Sequence, residues 1–409
     1  MPADNVTTLP WRNDRCQFTA NGVMKKNLFN AATFLRDHPA LRGRFAFDEF
    51  AYKVRVMRPL PWDDEIDRDW TAMDDSCAAE FAQSVDFDVP TKLIAEAVEV
   101  VARENRVHPV RAYLNGLAWD GLPRLDKWLS YYLGAEQTDY LAAVGRAWMI
   151  SAVARVMEPG CKADHMLILE GPQGLKKSTA IKALAGEDWF TDEIAEFGSK
   201  DAAMQIRGVW IVEIAELDAM SKSEATRVKA FLTRTTDRFR PPYGARMITS
   251  ARECIFAGTT NEMDYFRDAS GARRFWPVEC GPKIDLQGLR ADRDQLWAEA
   301  VSLYNDGAPW WITSADIADE AREEQRSRYE EDPWTPRIME WIDERFERDH
   351  FKIDEILTHA VGLQPKDTDQ RAQKRVAGIL RLNGFKRKKV RQGGRGAPTP
   401  RLWVRVNDP

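Results

Sequence analysis

Residues 165–179 read His-Met-Leu-Ile-Leu-Glu-Gly-Pro-Gln-Gly-Leu-Lys-Lys-Ser-Thr, an apolar run passing through a glycine-bearing loop into helix-forming sequence. That order suits a phosphate chain. Glycines let the backbone curl so that its N–H groups face an anion, and the N-terminus of the following helix adds a positive dipole. Gly171, Pro172, Gln173, Gly174, Leu175, Lys176, Lys177, Ser178 and Thr179 form the candidate nucleotide loop. Lys177 would neutralise the β- and γ-phosphates of ATP, and Ser178 would ligate Mg2+. One position departs from the GxxxxGK[ST] pattern, because Lys176 stands where glycine precedes the lysine. A chance turn between strand and helix is the alternative, and the Lys-Ser-Thr ending after an apolar strand weighs against it.

Hydrolysis would need acids and a polar group from later strands. Residues 209–216, Val-Trp-Ile-Val-Glu-Ile-Ala-Glu, are an apolar run ending in two carboxylates. Glu213 is placed on the metal side and Glu216 on water activation, with the two roles open to exchange. Residues 255–261, Ile-Phe-Ala-Gly-Thr-Thr-Asn, end in a polar run where Asn261 can hydrogen-bond a γ-phosphate or the attacking water. Arg273 and Arg274 follow in a Gly-Ala-Arg-Arg-Phe-Trp-Pro segment. An arginine stabilises charge spread over a transferring phosphoryl group, and in ring-shaped ATPases it comes from a neighbouring subunit. The alternative for an arginine pair is a surface salt bridge.

These residues need a scaffold, and the chain has the material for one. Its 409 residues are 44% hydrophobic, enough for two or three domains. A net charge of −5 excludes a basic coat over the whole surface, so any nucleic-acid surface must be local. Cys16, Cys77, Cys161, Cys254 and Cys280 lie far apart, without CxxC spacing, which suggests neither a disulfide framework nor a zinc site. No signal pattern opens the sequence and no apolar run matches a membrane span, so the expected location is cytoplasmic.

Segment by segment, residues 1–75 carry one helix at 26–38 and strands within 45–56, with no function visible. Residues 76–158 are predicted helical, with amphipathic spacing at Leu93, Ile94, Ala97, Val98 and Val101. From 159 to 329 short apolar runs at 165–170, 208–214 and 253–258 alternate with helix-length segments, the grammar of an α/β core with a parallel sheet. Glu330-Glu331-Asp332-Pro333 reads as a linker. Residues 334–409 follow as three short helices, a strand, a Gly-rich turn and an alternating strand, the pattern of a winged helix. Between Arg371 and Val406 there is no Asp or Glu. Lys386, Arg387, Lys388, Lys389, Arg391 and Arg395 are therefore candidate DNA contacts, against the alternative of a solvated charged face.

Taken together, residues 109–121, Leu169–Gly174, Trp210–Asp218, Arg240–Gly244, Thr259–Asn261 and Arg273–Pro277 resemble the virulence-associated protein E family of phages, prophages and pathogenicity islands. The resemblance runs from about Pro109 to Trp311 and implies an AAA+-like, superfamily 3 helicase type of ATPase. It further implies a homo-oligomeric ring, expected to be a hexamer, with ATP at subunit boundaries and single-stranded DNA in the channel. By position, Lys177 and Ser178 match the Walker A residues, Glu213 and Glu216 the Walker B acids, Asn261 the sensor, and Arg273 or Arg274 the finger. In helicases of this type a hairpin inserted before the sensor strand points into the channel, which nominates Lys229, Arg240, Tyr243 and Arg246 as DNA contacts, against the alternative of a solvated charged helix with a tight turn.

The fold expected is thus α/β, an AAA+-like P-loop ATPase core with a helical N-terminal region and a C-terminal winged-helix module. The function expected is a DNA-dependent ATPase using ATP and Mg2+ on single-stranded or double-stranded DNA. An ATP-controlled DNA-binding switch is the rival, and a small-molecule kinase, which has no need of the arginine pair or the basic tail, is a weaker one.

Overall fold

The computed structural model describes residues 11, 15–240, 247–266, 272–329, 332–345, 350–364, 368–389 and 401–405. The chain forms two compact units, residues 1–263 with 273–325 and residues 264–272 with 326–409. The first is mixed α/β. Its central sheet has the order Phe275–Glu279, Met166–Glu170, Ile255–Thr260, Ile211–Ile214, Phe190–Thr191. Every neighbouring pair is parallel. Parallel strands are covered on both faces, which is why the inner three are unbroken buried runs rather than alternating ones.

Helices hold the sheet through large apolar side chains whose polar atoms are satisfied. Asp139–Met157 begins at Thr138, whose side chain accepts a hydrogen bond from the amide of Leu141, and it is buried around most of its circumference. Trp148 Nε1 donates to the carbonyl of Phe256 at 2.8 Å, Trp210 Nε1 to that of Ala152 at 3.0 Å, and Trp297 Nε1 to that of Leu184 at 2.9 Å. Two of these buried indoles thereby tie the helix Asp139–Met157 to the sheet, and the third ties Leu286–Asn305 to Lys177–Ala185.

A second core in this unit departs from the expected boundary at 75/76. The helices Leu28–Asp37, Ala72–Ser84 and Thr91–Ala102 pack together with Phe45, Phe47, Val54 and Val56 of a four-stranded sheet. From Val110 onward the helical residues join the core of the parallel sheet instead. The stretch 76–158 is thus split, because the apolar stripe Ile94, Ala97, Val98 and Val101 has its complement in the N-terminal segment.

The second unit has the helices Thr335–Asp343, Ile353–Ile356 (continued by a π turn, Leu357–Val361) and Gln370–Leu382. A three-stranded antiparallel sheet accompanies them, ordered His350–Phe351, Arg401–Arg405, Phe385–Lys389. Ile338, Ile356, Leu357, Val376, Leu380, Phe385 and Trp403 form its core. The linker residues Glu330 and Glu331 and the Gly-rich turn at 393–400 lie outside the described residues. Among the described residues no helix is long and apolar enough to cross a membrane.

Candidate functional site

The helix Lys177–Ala185 starts at the carboxyl end of the Met166–Glu170 strand, and no side chain caps it. Its N-cap, Lys176, has φ 70° and ψ 32°, the left-handed region that glycine enters without cost. Earlier in the loop Gly171 has φ +143°, and a Cβ there would sit 2.9 Å from Leu175 Cδ2, so the turn requires glycine. The uncapped first turn leaves backbone donors facing outward, the arrangement that suits an anion. Lys177 is buried, and its ammonium donates to the carbonyls of Gly171 at 2.6 Å and Pro172 at 3.1 Å and to Asn261 Oδ1 at 3.1 Å. Burial holds its pKa below the usual lysine value.

Beside it, Ser178 Oγ donates to Glu213 Oε1 at 2.7 Å, and Thr259 Oγ1 donates to the same oxygen at 2.7 Å. Glu213 is only 1% exposed, and its other oxygen, Oε2, is buried without a hydrogen-bond partner. Burial pushes the carboxyl pKa up, and the hydroxyls of Thr259 and Ser178 pull it back. An orphaned carboxylate oxygen next to a serine hydroxyl is a donor set that fits a hard divalent cation such as Mg2+. The strand order makes this convergence possible, since the Met166–Glu170 and Ile211–Ile214 strands flank Ile255–Thr260 and all three open at the same edge.

Glu216 is not in this cluster. It is exposed, at φ 52° and ψ 49°, and its side chain makes no hydrogen bond or ion pair among the described residues. Arg273 and Arg274 are also apart from Lys177. They precede Phe275, which pairs with Met166 at the amino end of the strands, whereas the cluster follows Glu170. At about 3.3 Å per residue these two ends of the sheet are about 13 Å or more apart. Arg273 is exposed, and Arg274 is half-buried with its Nε 3.7 Å from Asp164 Oδ2.

The nominated DNA contacts are divided. The strands Thr236–Phe239 and Ile248–Ala251 pair as an antiparallel hairpin with Arg240 exposed at its end, and Tyr243 and Arg246 lie outside the described residues. Lys229 is a correction: only 8% exposed, with its ammonium 5.9 Å from the centre of the Phe275 ring, it is packed inward and is no surface contact. Arg252, just after the second of these strands, is also buried. It grips Asp237 through Nε–Oδ2 at 2.8 Å and Nη2–Oδ1 at 2.6 Å, anchoring the hairpin's base. In the second unit Lys386, Arg387, Lys388 and Lys389 are all exposed on one strand, and Arg391 and Arg395 lie outside the described residues.

Two residues near the site escaped sequence reasoning. Thr259 is buried against Glu213, and Asp218 accepts from Thr260 Oγ1 at 2.9 Å. Consecutive residues of one strand end, Thr259, Thr260 and Asn261, thus reach Glu213, Asp218 and Lys177 respectively. The polar run after an apolar strand was the available signal, and only its last member stood out.

No curated protein matches the chain. Among solved structures it is similar to the apo structure of the NrS-1 C-terminal region (305–718), at 12% identity and a TM-score of 0.45, covering 89% of this chain and 96% of that one. The A form apo structure of the same region is 14% identical with a TM-score of 0.48, over 89% of this chain and 96% of that one. The virulence-associated protein E-like domain model matches residues 114–331, just over half the sequence and the whole of the parallel sheet with its polar edge, so the chain belongs to the virulence-associated protein E-like family.

Proposed function

We propose that this chain is a DNA-dependent ATPase with an AAA+-like P-loop core, acting in a homo-oligomeric ring, a hexamer by resemblance, as a superfamily 3-type replicative helicase of a phage or mobile element. One observation carries the proposal. Lys177 and Ser178 start an uncapped helix after a glycine loop and contact Asn261 and Glu213, which arrive from two other strands of the same sheet. In that role the loop amides and Lys177 bind the β- and γ-phosphates, and Asn261, already bonded to Lys177, senses the γ-phosphate or its water. Ser178 and Glu213 would hold Mg2+, which when bound neutralises charge on the phosphates. Water activation is assigned to Glu216, although it stands outside the cluster on an exposed turn after the strand, and an exchange of roles with Glu213 stays open. Arg273 and Arg274, at the far end of the sheet from their own chain's loop, suit a role toward a neighbour's nucleotide rather than their own.

DNA contacts are assigned to Arg240, Tyr243 and Arg246, at and beyond the end of the strand Thr236–Phe239, and to the second unit, whose three helices and three-stranded sheet we read as a winged helix. Lys386 to Lys389 supply its phosphate-binding charge. The rival, an ATP-controlled DNA-binding switch, draws on the same basic strand. The rate of ATP hydrolysis with and without single-stranded DNA separates the two. A motor turns over faster when DNA is added and unwinds a forked duplex, whereas slow hydrolysis indifferent to DNA contradicts the proposal.

A further inference from the structure

Glu213 is held from two sides by hydroxyls, and the two donors are not equivalent. Ser178 stands at the start of the nucleotide-loop helix, where its oxygen is the side-chain ligand a divalent cation would recruit. Thr259 belongs to the neighbouring strand, is 5% exposed, and has Glu213 Oε1 as its hydroxyl's acceptor at 2.7 Å. A β-branched residue suits a buried strand whatever its function, so valine would fill this position equally well. The hydroxyl is what needs explaining. A buried hydroxyl must find an acceptor, and this one spends its hydrogen bond on a carboxylate that already has a donor in Ser178, while Oε2 of the same carboxylate is buried without a partner.

We propose that Thr259 is a positioning residue for metal-dependent nucleotide binding: its hydroxyl fixes the Glu213 carboxylate so that Oε2 faces the cation site whether or not Ser178 is engaged elsewhere. The proposal rests on reading this cluster as an Mg2+–nucleotide site. Glutamate has three side-chain torsions, and a carboxylate held only by Ser178 would lose its orientation when that hydroxyl turns to the metal. Residues that orient a ligand from behind, without touching the metal, change metal affinity about 10- to 100-fold when removed.

The test is equilibrium binding of fluorescent ADP to the full chain in EDTA and in excess Mg2+, for wild type, Thr259→Val, Thr259→Ser and Thr259→Ala. Wild type should bind more tightly with Mg2+. Thr259→Val should keep the EDTA affinity within about twofold and lose about 10-fold or more of the Mg2+-dependent gain, and Thr259→Ser should keep that gain. Retention of the full gain by Thr259→Val overturns the inference, as does its loss in Thr259→Ser, which would mark a packing role. If the valine variant does not fold, serine against alanine, differing by one hydroxyl, decides on the same criteria. Absence of any nucleotide binding by wild type would instead defeat the underlying reading of the site.

Discussion

Lys176 occupies a backbone conformation that glycine would enter without strain. With φ 70° and ψ 32° it sits in the left-handed region, where the Cβ of an L-residue costs about 1–2 kcal/mol. Replacing it by glycine removes that cost and adds about 0.5–1 kcal/mol of unfolded-chain entropy. Lys176→Gly should therefore stabilise the chain by about 0.5–1 kcal/mol. Lys176→Ala keeps the Cβ and removes only an exposed side chain, so it should stay within about 0.5 kcal/mol of wild type. For a unit of this size 1 kcal/mol moves the melting temperature by only about 2 °C, so urea unfolding of the three proteins is the better assay. If glycine destabilises by about 0.5–1 kcal/mol, as it does inside an ordinary helix, or if alanine and glycine match, the left-handed turn is refuted.

Three further outcomes are expected. Asp237→Asn leaves the Arg252 guanidinium buried without its charge partner and should cost about 3–5 kcal/mol in urea unfolding; a loss below about 1 kcal/mol would contradict the anchoring of the hairpin base. Burial pushes the His165 pKa down to about 3, so the unfolded chain, titrating near 6.5, takes up the proton first. The stability this histidine contributes is intact above pH 6.5 and falls as pH drops toward 3, by about 2 kcal/mol at pH 5. His165→Gln should lose that share of the acid dependence, and identical pH–stability curves would count against it. Finally, Lys386→Ala with Lys388→Ala should reduce the slope of log affinity for duplex DNA against log salt by about 0.9 for each phosphate contact removed, and an unchanged slope would remove this strand from the DNA surface.

The inner strands were legible because a strand covered on both faces is a nearly continuous apolar run, and Met166–Glu170, Ile211–Ile214 and Ile255–Thr260 are buried throughout and apolar but for Glu170, Glu213, Thr259 and Thr260. Phe275–Glu279 was not, since Pro277 argues against a strand; it is tolerated there because this strand is at the sheet's edge, with Met166–Glu170 as its one neighbour among the described residues. Lys177, Ser178, Glu213 and Asn261 could be nominated from type and order, since the first two open a helix after a glycine loop, Glu213 is an acid within an apolar strand and Asn261 follows another strand. Thr259 could not, because a threonine in a strand is ordinary and only the neighbouring carboxylate gives it meaning. Lys229 failed for the converse reason: charge suggested a surface, but its place on the inner side of the helix Lys222–Leu232 laid it against Phe275. The split between the N-terminal core and the core of the parallel sheet depends on which helix faces meet, and pairing of faces is not written in the periodicity of either helix.

The most direct test of the phosphate site is nucleotide binding itself. Wild type and Lys177→Ala, shown by thermal melting to be equally folded, are titrated with a fluorescent ATP analogue in the presence of Mg2+. Loss of one charge-assisted contact worth about 1.5–3 kcal/mol should weaken binding about 10- to 100-fold. Equal affinity in the two proteins, or no measurable binding by wild type, would contradict the assignment of residues 171–179 as a phosphate cradle.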